Sequence, residues 1–140
     1  MKRVLIAAGL IGLTTTMAIP AFAGKEEREM LKNEVMPAVK NAEAKFKSAC
    51  GCALAITVDE ASLKSTSDMR PIQSIAEHVA EGAVGHCTDA ASKKALCQMK
   101  SLALRKAAET TFTFKGGKGV ATTDGSSSPS WDMMVAELDK

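Results

Sequence analysis

Cys50-Gly51-Cys52 is the segment whose residue types and spacing could most directly do chemistry. Placed in a strand, residues i and i+2 face one side. Cys50 and Cys52 then share a face with Leu54, Ile56 and Val58. Gly51 faces the other way and permits close backbone approach. Two thiols on one face can each meet a cysteine from an element packed over it, and Cys87 and Cys97 bracket such an element.

Three uses follow. The first is structural: two disulfides, with Cys50 and Cys52 cross-paired to Cys87 and Cys97, closing loops of 35 to 47 residues. Cys97 supports this, because it lies about half a turn away from its own helix's apolar stripe and needs something docked against it. A local Cys87–Cys97 bridge competes, provided the intervening helix starts after Cys87; ten helical residues would hold the two about 15 Å apart. The second use is redox exchange through a small strained ring within Cys50-Gly51-Cys52, although the common motif is C-x-x-C. The third is a metal centre, with Cys50, Cys52, His86 and Cys87 as an S-and-N set for Zn or Cu.

Other candidates read more simply. His78 sits beside Glu77 and one turn from Glu81. A His–carboxylate pair could move protons, but no nucleophile is placed for it, and neither G-x-S-x-G nor H-E-x-x-H occurs. His86 reads as a helix C-terminal residue. Met30, Met36, Met69, Met99, Met133 and Met134 form no M-x-x-M array and read as core filling. Asp59 and Glu60 are adjacent and diverge, while Asp68, Asp89 and Asp132 lie at or next to helix starts. Trp131, the single Trp, reads as a core anchor for the C-terminus. Lys115-Gly116-Gly117-Lys118-Gly119 lacks the P-loop pattern and reads as a hairpin tip. Such tips carry partner contacts, so Lys115 and Lys118 are the candidate partner-binding residues.

The elements that must position these groups follow from periodicity. Leu31, Val35, Val39, Ala42 and Phe46 mark a helix over 25–48, with Pro37 predicting a kink or split. Residues 52–58 alternate as a strand that is apolar on both sides and so expected to be central and well covered, and 59–67 form a polar loop. A helix over 68–85 carries Ile72, Ile75, Ala76, Val79, Ala80 and Ala83, with Asp68 as its cap and Pro71 in its first turn. Thr88 or Asp89 caps a helix to about Met99, burying Ala91, Ala95, Met99 and Leu102. Residues 101–108 fit either a helix or a strand. Residues 110–114 and 120–123 form a hairpin. Ser128 caps a last helix with Pro129 at its first position and Trp131, Met134, Val135 and Leu138 on one face.

The N-terminus sets the compartment. Lys2 and Arg3, an apolar run from Val4 to Leu13, and Ala21-Phe22-Ala23 after Pro20 make a cleavable secretory signal. The run is too short to span a bilayer. Cleavage after Ala23 leaves 24–140 as a single globular domain. Lys2 and Arg3 are two of the 18 basic residues, so the remaining 16 face 16 acids at zero net charge. That leaves no electrostatic footprint for nucleic acid and no basic stripe for a membrane surface. Export places all four cysteines in a periplasmic or secreted, oxidising setting.

The expected fold is α+β: a small antiparallel sheet, made of one strand plus a C-terminal hairpin, packed with three to four helices and stapled by two disulfides. The expected function is non-catalytic binding of another protein, of the inhibitor or immunity type, without a cofactor. A metal or thiol-redox protein is the alternative. An enzyme using His78 or His86 with a carboxylate is a third reading.

Overall fold

The computed structural model describes residues 24–140; the expected signal at 1–23 lies outside them. Helix α1 (Lys25–Met30), a π-helical turn (Leu31–Val35) and α2 (Met36–Cys50) run on as one rod. Pro37 explains the π turn. Its ring would strike the carbonyl four residues back in a regular helix. The widened turn accommodates it, with Met36 N–H donating to the Leu31 carbonyl five residues back. Val35, Val39, Ala42 and Phe46 form the buried stripe.

Strand β1 (Ala55–Val58) is shorter than the predicted 52–58. Cys50 instead ends α2, and Gly51 takes the left-handed conformation (φ 80°) that caps the helix. Cys50 and Cys52 therefore do not share a strand face. A 3-10 turn (Glu60–Ser62) leads to α3 (Thr66–His86), which begins before the expected start at 68. Ser65, not Asp68, is the N-cap residue, and Pro71 stands inside the helix. Asp68 turns back to accept from Lys64 N–H at 2.9 Å.

Helix α4 (Ala90–Leu96) is capped by Asp89, whose side chain accepts from Ser92 N–H. It stops short of Met99. Leu96 is its buried residue, and Ala91 is exposed, so the predicted Ala91–Ala95 face is not the buried one. Residues 101–106 resolve as strand β2 (Ser101–Lys106), with Leu102 and Leu104 buried and Arg105 exposed. Strands β3 (Thr111–Lys115) and β4 (Lys118–Thr123) make a hairpin closed by Gly116 and Gly117, both at positive φ. Helix α5 (Trp131–Leu138) has Ser130 as its cap, so Pro129 lies outside it and Ser128 does not cap.

The class is α+β, but the sheet is mixed rather than antiparallel. Its order is β1-β2-β4-β3, so β1 stands at an edge rather than at the centre. β1 pairs parallel with β2, and β2 parallel with β4; only β3–β4 is antiparallel. The central strand is the stretch that fitted either helix or strand. It separates the predicted strand from the predicted hairpin and imposes parallel pairing on both.

The described helices pack on one face of this sheet. Ile56, Leu102, Leu104, Ala121 and Phe112 point into them and are buried with Phe46, Ile72, Ile75 and Val79. Burial of such side chains contributes about 1.5–3 kcal/mol each.

Candidate binding face

The cysteines frame the helical layer. Cys50 pairs with Cys87, joining the C-terminal ends of α2 and α3, with Cα atoms 5.1 Å apart. Cys52 pairs with Cys97, joining the approach to β1 to the end of α4, at 5.9 Å. Of the possible connectivities, the cross-pairing is the one formed. Cys97 lies at the C-cap of α4, which explains its place off that helix's stripe. No cysteine is free, so in this oxidised state the Cys50, Cys52, His86, Cys87 set offers no thiolate to a metal. Among the described residues no three His, Cys, Asp or Glu side chains converge as a metal-holding group.

The two histidines meet α5 and the residues leading into it. His86 meets the Trp131 ring edge-on, with centroids 6.2 Å apart. His78 Nδ1 lies 3.3 Å from the Pro129 carbonyl oxygen. Trp131 lies against Gly82, where a Cβ would fall 2.1 Å from the indole Cδ2. Met69, Met99 and Met134 are buried, whereas Met133 stays 43% exposed.

A shallow cleft of about 470 Å3 lies between α3 and the 124–128 loop, lined by Ser67, Arg70, Ser74, Ser126, Ser127 and Ser128. Asp124 organises that loop. The Ser126 N–H, the Ser126 hydroxyl and the Ser127 N–H hold its carboxyl down to about 2. These contacts explain the loop's shape without a ligand.

Among the described residues no helix lies over the other face of the sheet. The register places Ala55 and Thr57 of β1, Ser101, Ala103 and Arg105 of β2, Lys118 and Val120 of β4, and Thr113 and Lys115 of β3 on this side. Ala55, Thr57, Arg105, Thr113, Lys115 and Lys118 are exposed, while Ala103 and Val120 are half-buried. An antiparallel sheet can keep one wet face; here a mixed sheet does so, with small and hydroxyl side chains across the middle. Thr111 and Thr122 close its far end, their hydroxyls 2.8 Å apart.

The charge that the described strands place on this face has one sign, since none of them contains Asp or Glu; exposed Asp59, Glu109 and Asp124 stand just beyond the strand ends. Lys106 leaves for the helical side, where its Nζ lies 2.8 Å from Asp68 Oδ1. Arg105, Lys115 and Lys118 remain, and no ion pair within 4 Å is formed by any of them among the described residues. Lys115 and Lys118 are direct cross-strand partners. Like charges opposite one another destabilise a hairpin.

Sequence reasoning singled out Lys115 and Lys118, and the structure brings them together. It missed Arg105, because 101–108 was open between helix and strand. The available signal was the alternation of Ser101, Ala103 and Arg105 with Leu102 and Leu104. Among the described residues no helix is long and apolar enough to cross a membrane. No protein-family model, curated protein or solved structure matches this chain.

Proposed function

We propose that this protein is an exported binding module that docks an acidic protein surface on the helix-free face of its sheet. Residues 1–23 act as a cleaved secretory signal, and the two disulfides suit the oxidising compartment beyond. The observation that carries the reading is the row of Arg105, Lys115 and Lys118 on this face, from strands that contain no Asp or Glu. The mature chain carries no net charge, so this one-signed patch is a local feature rather than a consequence of bulk basicity. Patches of this kind raise association rates and specificity more than raw affinity. Such a module acts by occlusion, as an inhibitor or immunity-type protein does, and needs no cofactor.

Zero-length carbodiimide cross-linking in native extract tests this, since it joins lysine amines to carboxylates in contact. The expected result is a single dominant adduct, mapped to Lys115 or Lys118 and lost in the Lys115→Glu/Lys118→Glu variant. Recovery of the protein alone, or an adduct that survives the double substitution, overturns the reading.

A further inference from the structure

We infer that the partner enters as an extended acidic segment adding a fifth strand along the free edge of β3. This deepens the binding reading above and rests on it. The two edges of the sheet are not equivalent. On β1, the N–H groups of Ala55 and Asp59 point inward, to the Lys100 and Leu104 carbonyls. Ile56 N–H therefore points outward, and it is taken by the Glu43 carboxylate of α2 at 2.8 Å. A charged side chain covering an outward donor is how native sheets close an edge to pairing.

On the β3 edge α5 packs against the strand from its helical side, but among the described residues no side chain takes its outward backbone groups. Lys115 and Lys118 close a two-residue hairpin and form a hydrogen-bonded pair. Thr113–Val120 and Thr111–Thr122 follow as bonded pairs, since the pattern alternates. The N–H and C=O groups of Phe112 and Phe114 consequently face away from β4. No side chain and no other segment forms a hydrogen bond with them among the described residues. Their aromatic rings are anchored on the helical side, with Phe112 5% exposed. The edge is thus rigidly held while its outward donors and acceptors are unused.

Charge selects the occupant. A strand added beside β3 alternates its side chains between the two faces. Those on the helix-free face would lie next to Thr111, Thr113 and Lys115, with Lys118 and Arg105 beyond. Carboxylates at alternate positions match that row. A second copy of this chain would instead bring together two faces of the same positive sign. Strand addition takes affinity from main-chain hydrogen bonds and specificity from alternate side chains, which fits one unpaired edge beside one charged face.

The probe is an eight-residue peptide of alternating glutamate and valine, titrated into the disulfide-intact mature protein at low salt. Amide hydrogen exchange and NMR shifts are read residue by residue. The expected result is at least ten-fold slower exchange at the Phe112 and Phe114 amides. An alternating lysine–valine peptide should give no such protection. A glutamate–valine peptide N-methylated at every second residue, on the hydrogen-bonding side, should lose the effect. If the acidic peptide shifts only Arg105, Lys115 and Lys118, and the methylated peptide binds equally well, the edge proposal fails while the acidic-face reading survives. If no acidic peptide binds, both fail. Protection of both amides in the protein alone, rising with its concentration, assigns the edge to a second copy and overturns the proposal.

Discussion

Asp68 Oδ1 and Lys106 Nζ lie 2.8 Å apart, joining the first turns of α3 to the last residue of β2. The carboxylate side chain is 6% exposed and the lysine side chain 33%. Burial pushes the Asp68 carboxyl up. The Lys106 hydrogen bond and charge, with the N–H groups of Lys64 and Ser65, outweigh that and hold it below 3.8. Removing one partner of such a pair leaves the other charge uncompensated.

Acid sensitivity follows with a definite sign. A carboxyl depressed on folding contributes stability that is complete above its unfolded value of 3.8. That contribution disappears as pH falls through the lower folded value. The expected outcome is a urea midpoint that drops in wild type below pH 3.8 and drops less in Asp68→Asn. At neutral pH, Asp68→Asn should cost about 1–3 kcal/mol. Asp89 and Asp124 are depressed as well, by hydrogen bonds from Ser92 and from Ser126 respectively, so some acid slope persists. An unchanged slope in the variant would remove Asp68 from the account.

Gly82 and Gly85 separate packing from propensity. Replacing a helical glycine by alanine should gain up to about 1 kcal/mol. Gly85 is exposed with nothing within 4 Å of its virtual Cβ, so Gly85→Ala should be neutral to stabilising. At Gly82 the new methyl would overlap the Trp131 ring at 2.1 Å. Gly82→Ala should cost about 1–3 kcal/mol net through overpacking. It should also displace α5, shifting Trp131 fluorescence to the red. Equal stability changes at both sites would show that Trp131 does not dock there.

The disulfides should be strongly stabilising and nearly equal in their entropic share. Their sequence separations are 37 and 45 residues. Loop closure on that scale restricts the unfolded chain by about 4 kcal/mol each. Cys50 and Cys87 are also buried, at 4% and 7% exposure, whereas Cys52 and Cys97 are half-buried. Cys50→Ala/Cys87→Ala should therefore lower the urea unfolding free energy more than Cys52→Ala/Cys97→Ala. The reverse order would place the more important staple at β1.

Local signals explain what could be read without coordinates. Gly116-Gly117 between alternating runs marks the β3–β4 hairpin, and Asp89 before a polar–apolar run marks the α4 cap. The misreadings share a cause: two local rules competed and tertiary contacts decided. At Gly51 the sequence reading places Cys50-Gly51-Cys52 in line with the alternating strand 52–58, whereas α2 runs on to Cys50 and Gly51 caps it at positive φ. At 101–106 the partner of Leu102 is Ile56 across a long crossover, a pairing that leaves no turn signal. The helix-free face was illegible for the same reason. Arg105 joins Lys118 and Lys115 only once β2 is a strand and the described helices lie on the other side.

Lys118→Glu should move stability and binding in opposite directions. In the native hairpin Lys118 opposes Lys115 directly, a like-charge pair at the exposed end of the sheet. Glutamate at 118 would make that pair attractive, and cross-strand pairs of opposite charge contribute about 0.2–1 kcal/mol. The variant should therefore unfold at slightly higher urea, and the gain should shrink in high salt. The same change inverts one of the three charges on the proposed binding face. Affinity for the glutamate–valine peptide, measured by titration at low salt, should fall at least several-fold. Arg105→Gln is the companion measurement: it removes a face charge without touching the hairpin pair, so it should weaken binding with little change in stability. A variant that gains stability and binds the peptide as tightly as wild type would show that the opposed lysines serve no acidic partner.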